Sequence, residues 1–248
     1  MLKRIITGAV AAALLGVTPV ALVTAPAQAA EDAWQSADAR ATTLPSRVVR
    51  TTAFQKRYRF NDRISASYRL EVYDPSGGCS HAADGWCSPP TYMGNQQLIL
   101  ERRFNGSSTW QTLATNNGNS LYYSGQWKGN AEYRARFPGG SNSHYDLTYP
   151  SATESSGLLR GFRLTSISDP FANRKADVRL KVKPAYKRKV VVLQRKQGKR
   201  WVTVRKARTN RKSVVTFRDL AAPAKFRLVV RGNKKFLKTK HAFSTVRY

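Results

Sequence analysis

Three histidines (His81, His144 and His241), two cysteines and fourteen acidic residues are the groups of this 248-residue chain that could move protons, attack carbonyls or hold metal. The histidines are scattered, and the chain has no H-E-x-x-H, no G-x-S-x-G and no phosphate-cradling glycine loop. Glu101 and Glu132 fall beside arginines at outward strand positions, a setting for surface ion pairs rather than acid–base work. Asp62, Asp74 and Asp84 lack the spacing of a calcium loop. No catalytic residue, cofactor or metal is therefore predicted. The cysteines, Cys79 and Cys87, lie eight apart in SGGCSHAADGWCSPP. In an exported chain so close a pair defaults to a disulfide, worth roughly 2–3 kcal/mol on a chain-entropy argument. A zinc reading with His81 as third ligand falls short of the four tightly spaced ligands that structural zinc takes.

Charge is the stronger chemical signal. The chain carries 43 Lys+Arg against 14 Asp+Glu. From Ala30 to Ser156 the balance is 13 against 11; from Gly157 to Tyr248 it is 28 against 3. The basic half also has apolar content and strand periodicity, so its cations belong to a folded surface and not to a disordered tail. Such a surface repels itself, and an anionic partner relieves that repulsion. The residues expected to bind polyanion are Lys181, Lys183, Arg195, Lys196, Lys199, Arg200, Arg205, Lys206, Arg211 and Lys212, grouped along the chain in one hairpin and its neighbours. Arginine can fork onto phosphate where lysine acts as a point charge. A basic face kept only for solubility is the alternative. Sequence-specific nucleic-acid reading is not predicted, because no reading motif is present.

The element that positions these cations is Val190 to Val204, VVVLQRKQGKRWVTV, an apolar run, a turn at Gln197-Gly198, and a second run opened by Trp201. About ninety residues upstream, QLILERRFNGSSTWQTL from Gln97 to Leu113 repeats the arrangement with a turn at Asn105-Gly106 and with Trp110. Each hairpin is preceded by an alternating run that stops at proline, YRLEVYDP from Tyr68 and VRLKVKP from Val178. Two echoes in the same order predict two copies of one all-β unit. The first copy, residues 47–153, carries an insertion of 17 positions, since Leu70 to Leu100 spans 30 and Leu180 to Leu193 spans 13. That insertion holds both cysteines, with Trp86, Tyr92 and Met93 in or beside it as a partner loop, or as a long loop whose Trp86 simply packs on the sandwich. Ser151 to Gly157, SATESSG, reads as a linker to the second copy, residues 157–248. At the start, Lys3 and Arg4, an apolar stretch from Ile5 to Val23 and Ala27-Gln28-Ala29 read as a cleaved signal peptide over residues 1–29, followed by a flexible leader over 30–46. An uncleaved anchor is the alternative. No later stretch is apolar and long enough to span a membrane, so a secreted or envelope-associated mature chain is expected.

The run VVLQRKQGKRWVTVRKARTNRKSVVTFRDL followed by a FRLVV strand resembles the immunoglobulin-like repeat modules of secreted and cell-surface actinobacterial proteins. The resemblance covers the second copy and, from Gln97 to Phe137, part of the first. It implies two tandem immunoglobulin-like antiparallel β-sandwiches and a non-enzymatic adhesive or spacer role. The expected function is a secreted binding module whose basic domain docks on an anionic cell-wall polymer or other extracellular polyanion, while the first domain meets a protein or glycan partner. The alternative is a structural or inhibitory protein that presents the Cys79–Cys87 loop to a protein target.

Overall fold

In the first half of the chain the apolar residues recur every second position, so that Tyr68, Leu70 and Val72, or Tyr133, Ala135 and Phe137, fall on one face and are buried together. The computed structural model describes residues 42–74, 84–89, 97–143, 146–169 and 176–246. The described residues of this half form twelve strands: β1 (Thr42–Thr43), β2 (Ser46–Arg50), β3 (Tyr58–Arg59), β4 (Arg63–Tyr73), β5 (Trp86–Cys87), β6 (Gln97–Phe104), β7 (Gln111–Asn117), β8 (Ser120–Gln126), β9 (Ala131–Phe137), β10 (Gly140–Asn142), β11 (Leu147–Tyr149) and β12 (Ala152–Leu159). One sheet sets β2 and β8 against β4, with β5 on the end of β4; the other has the order β12-β9-β6-β7. The core between them holds Ile64, Leu98, Leu100 and Trp127.

The second half adds β13 (Gly161–Phe162), β14 (Leu164–Ser168), β15 (Ala176–Lys183), β16 (Val190–Gln197), β17 (Arg200–Arg208), β18 (Val214–Leu220), β19 (Ala224–Val230) and β20 (Thr239–Thr245). Its sheets are β14-β15-β18 and β17-β16-β19-β20, over a core of Val178, Leu180, Leu193, Phe217, Phe226 and Leu228. Leaving aside the short β5, the small sheet β1-β11-β10 and the β3–β13 pair, the two halves share one strand order, three strands on one side and four on the other, with β6 and β16 in matching places. The chain is thus all-β, two tandem immunoglobulin-like antiparallel sandwiches.

Two boundaries differ from the sequence reading. The SATESSG stretch is no linker: Ala152–Leu159 is the last strand of the first sandwich, paired with β9 from Ala152↔Phe137 to Leu159↔Ala131. Gly157, at φ +66°, occupies the bulge that shifts this register, and Ser156 Oγ accepts the Tyr133 amide at 2.9 Å. Small polar residues gave the strand no hydrophobic signature; its ladder to β9 holds it. The first strand in the sheets of the second sandwich, β14, accordingly starts at Leu164. The end of the expected leader is also structured, since Thr42 and Thr43 pair in parallel with Leu147 and Thr148. The signal-peptide stretch lies outside the described residues.

The sandwiches meet through a packed junction. The turn after β19 inserts Phe236, 3% exposed, into the first core, where its ring is 5.8 Å from that of Trp127 and 6.2 Å from that of Phe60. Asn130, also buried, donates its amide hydrogens to the carbonyls of Lys235 (backbone N, 2.7 Å) and Lys234 (Nδ2, 3.1 Å), and its Oδ1 accepts Gly161 N at 2.9 Å. Gly161 pairs with Tyr58, and a methyl group there would collide with the Tyr58 carbonyl and come 2.7 Å from the Trp127 ring.

Candidate functional site

The repeat is carried down to single residues on the outer faces of the two four-stranded sheets. In both hairpins the register slips once, between Leu100 and Glu101 and between Leu193 and Gln194. The pairs beyond the slip correspond: Glu101↔Thr112 with Gln194↔Thr203, and Arg102↔Gln111 with Arg195↔Val202. Across to the next strand, Glu101↔Arg134 matches Gln194↔Arg227. A bulge shared by the two copies keeps Trp110 and Trp201 beside these residues, and each ring is covered by the matching arginine, Arg134 at 4.0 Å and Arg227 at 4.5 Å.

The partner that holds the arginine differs. Arg134 Nε donates to Glu101 Oε2 at 2.7 Å, and Arg136 lies 3.7 Å from the same oxygen. Arg227 Nε donates to Gln194 Oε1, also at 2.7 Å, and Gln194 Nε2 donates to Thr203 Oγ1 at 3.2 Å. The geometry is kept while a carboxylate becomes a neutral amide. One step along, the Arg103–Glu132 ion pair at 2.5 Å has Lys196 and Lys225 in its place. At five matched positions the first face holds Glu101, Arg103, Glu132, Arg134 and Arg136, one net positive charge; the second holds Gln194, Lys196, Lys225, Arg227 and Val229, three. Lys206 and Lys240 extend the second face through the row Lys206↔Val192↔Val229↔Lys240.

The ten expected polyanion residues do not form one cluster. Lys196 and Lys206 are on this face. Lys181 and Lys183 are exposed on the opposite sheet, β14-β15-β18, because β15 and β16 belong to different layers. Alternation along the hairpin sends Arg195, the partner of Phe226, and Arg205, the partner of Leu193, toward the core side; Arg205 Nη1 donates to the Arg218 carbonyl of β18 across the sandwich edge. Lys199 and Arg200 sit at the hairpin tip beside Gly198, at φ +54°, and Arg211 and Lys212 lie in the exposed turn after β17. Arg227, Lys225 and Lys240 were not among the expected residues. Their signal was present in the paired motifs, L-E-R against L-Q-R and Glu132 against Lys225, but reading it needs the strand register.

In the partner loop, Trp86 pairs with Tyr73, its ring 5.5 Å from that of Tyr73 and covered by the Arg47 guanidinium at 4.1 Å. It is thus packed on the sandwich edge. Cys87 carries no free thiol. Cys79, Tyr92 and Met93 lie outside the described residues, as do His81 and His144. His241 Nδ1 is 3.0 Å from Thr165 Oγ1, a bond between β20 and β14. Glu71 and Glu101 stand on outer faces and are nonetheless buried: Glu71 is 4% exposed and bonds Arg47 (2.8 Å) and Arg69 (3.0 Å). Burial alone would raise its pKa, but the hydrogen bonds and charges of the two arginines outweigh that and hold it below the usual carboxylate range. Among the described residues no three His, Cys, Asp or Glu side chains are grouped to hold a metal.

No protein-family model matches the chain, and no curated protein matches it by sequence. Solved structures of similar shape include a two-domain fibronectin type-III segment of chicken tenascin, 12% identical, covering 75% of this chain and 94% of that one at a TM-score of 0.38. A tetra-tandem repeat from the extending region of a large adhesion protein is 9% identical over 81% of this chain and 49% of that one, at 0.31. The FN1-FN3 domains of chicken CNTN1 are 9% identical over 82% and 64%, at 0.22. At these TM-scores the architecture stands on this chain's own strand order.

Proposed function

We propose that this protein is an exported, non-catalytic binding module whose second sandwich docks on an anionic envelope polymer through the outer face of β17-β16-β19-β20. The observation that carries this reading is the matched pair of faces: one scaffold, with its Trp–Arg stack preserved, is neutralised by Glu101 and Glu132 in the first copy and left cationic by Gln194 and Lys225 in the second. A solubility role alone does not call for a preserved stack beneath the charge. Stacked on Trp201 and held by Gln194, Arg227 is pre-organised to fork onto a phosphodiester, while Lys196, Lys206, Lys225 and Lys240 supply point charges around it. The first sandwich, its face ion-paired, takes the second partner, a protein or glycan, and its insertion is closed by a Cys79–Cys87 disulfide.

The test uses the whole chain, since Phe236 belongs to the first core and residues 157–248 alone would expose it. Retention on immobilised poly(glycerol phosphate) is measured against salt. Five phosphate contacts at a slope of roughly 0.7 each predict an affinity loss of about 100-fold between about 50 and about 200 mM salt. Salt-insensitive retention, or none, sinks the reading.

A further inference from the structure

A second cationic feature lies at one end of the second sandwich, away from the sheet face. A cleft of about 640 Å³ opens between the connection from β15 to β16 and the ends of β17 and β19. Arg163, Lys187, Arg188, Lys189, Arg208 and Arg231 line it, with Tyr186 and Val190 as its apolar part, and no carboxylate is among its walls within the described residues. The volume is in the range of small-ligand pockets.

Two independent observations mark this cleft as more than a crowded basic edge. The first is Arg163, which is 6% exposed. Its Nη1 donates to the Pro184 carbonyl at 3.2 Å and its guanidinium covers Phe236 at 4.4 Å and Tyr186 at 5.0 Å, yet Nε is buried with no hydrogen-bond partner and no carboxylate pairs with it among the described residues. Burial pushes its pKa below the ordinary arginine value. A buried charge is normally paired, and this one faces a cleft whose other charged groups among the described residues are all cations. The second is the fixed backbone of the rim. Arg188 adopts φ +54°, a left-handed conformation costly for a long side chain. It is held there by Thr209: Arg188 N donates to the Thr209 carbonyl at 3.0 Å, Lys189 N to Thr209 Oγ1 at 3.2 Å, and the buried hydroxyl donates to the Tyr186 carbonyl. Arg208 Nη1 completes the rim by donating to the Arg188 carbonyl at 3.2 Å, leaving the rest of its fork open. Strain that sets three consecutive cations, Lys187 to Lys189, over a buried uncompensated arginine is a device for concentrating positive potential in a concave site.

We infer that this cleft binds one compact multivalent oxyanion, a phosphate or pyrophosphate group gripped by Arg188, Arg208 and Arg231 above the buried Arg163. The inference is independent of the sheet-face reading, because the cleft takes a single group end-on whereas the sheet takes a chain laid across it. Free inorganic phosphates and the phosphoryl groups of an envelope polymer share this chemistry.

Calorimetric titration of the full chain with inorganic pyrophosphate at low ionic strength tests it. The wild type should bind one equivalent saturably, and Arg208→Gln with Arg231→Gln should weaken binding by at least about tenfold, as loss of charge-assisted hydrogen bonds does. Arg208 also braces Arg188, so Arg231→Gln alone, at an exposed position, is measured beside it and should weaken binding in the same direction. Gln194→Glu with Lys225→Glu, which disables only the sheet face, should leave pyrophosphate binding unchanged. A parallel titration with short poly(glycerol phosphate), made in the Gln194→Glu with Lys225→Glu background so that the sheet face is silent, identifies the source: residual polymer binding that Arg208→Gln with Arg231→Gln removes assigns the site to a polymer phosphoryl group, and no residual polymer binding assigns it to a free anion. Non-saturable pyrophosphate binding, or equal affinity in the wild type and both arginine variants, overturns the inference, whatever the sheet-face variant does.

Discussion

The first sandwich provides the template for neutralising the second. The double substitution Gln194→Glu with Lys225→Glu gives the second face the same two carboxylates that the first face has at Glu101 and Glu132. Because Arg134 is already held by a carboxylate in the geometry that Arg227 adopts, the carboxylate introduced at position 194 should capture Arg227 near 2.7 Å without moving the Trp201 stack. The one introduced at position 225 should pair with Lys196 as Glu132 pairs with Arg103. The pair at position 225 is exposed and contributes about 0–1 kcal/mol, and the carboxylate at position 194 takes over a hydrogen bond that Gln194 already makes, so thermal stability should stay level or rise slightly. Polymer binding should not. The three central cations Lys196, Lys225 and Arg227 are removed or neutralised together. At a slope of roughly 0.7 per phosphate contact, the log-affinity against log-salt slope should fall by about 2, and the affinity at about 50 mM salt by an order of magnitude or more. The assay is the salt series on poly(glycerol phosphate), with calorimetric unfolding of the same samples. A variant that folds normally and keeps the wild-type slope refutes the argument, since polymer contact would then run through cations elsewhere, such as Lys181 and Lys183 on the opposite sheet.

Two further outcomes test the packing behind the face. Phe236→Ala removes a ring that the first core encloses, and should destabilise the chain by about 3–5 kcal/mol and split a single unfolding transition into two, read by calorimetry; one unchanged transition would show that Phe236 is not what couples the sandwiches. Glu71→Gln should cost roughly 1–3 kcal/mol at neutral pH, because Arg47 and Arg69 lose a buried counter-charge. The folded pKa of Glu71 lies below its unfolded value, so its contribution is present above the unfolded pKa of about 4.3 and is lost as pH falls through the folded value. The gap between wild type and variant in denaturant midpoints should therefore close below about pH 4, and a gap that persists there would contradict the ion-pair account.

Strand identity and repetition were legible because alternation of apolar residues is a local property: the alternating runs from Tyr68 and from Val178 fall in the strands Arg63–Tyr73 and Ala176–Lys183, and the two hairpins announced a duplicated unit. The hairpin VVVLQRKQGKRWVTV also contained Trp201, Gln194 and Lys196, the visible half of the face. Its other half, Lys225, Arg227 and Lys240, comes from strands further along the chain, and only the β16–β19–β20 register brings them alongside. The same limit explains the errors. Ser151 to Gly157 reads as a linker because its residues are small and mostly polar, and nearly all of it lies in the strand Ala152–Leu159 because β9 offers it a ladder. Lys181 and Lys183 stand close to the hairpin along the chain, yet a sandwich places β15 and β16 in opposite layers, and nearness in sequence then becomes distance in space. Phe236 stands among lysines in NKKFLK, and only packing against Trp127 makes it part of the first core. Composition and period thus determined that this chain would be two β-units, one near-neutral and one basic, since each residue's preference acts locally. Which cations share a surface, and which charge is left uncompensated, depended on strand pairing and layer assignment, which no single stretch of sequence carries.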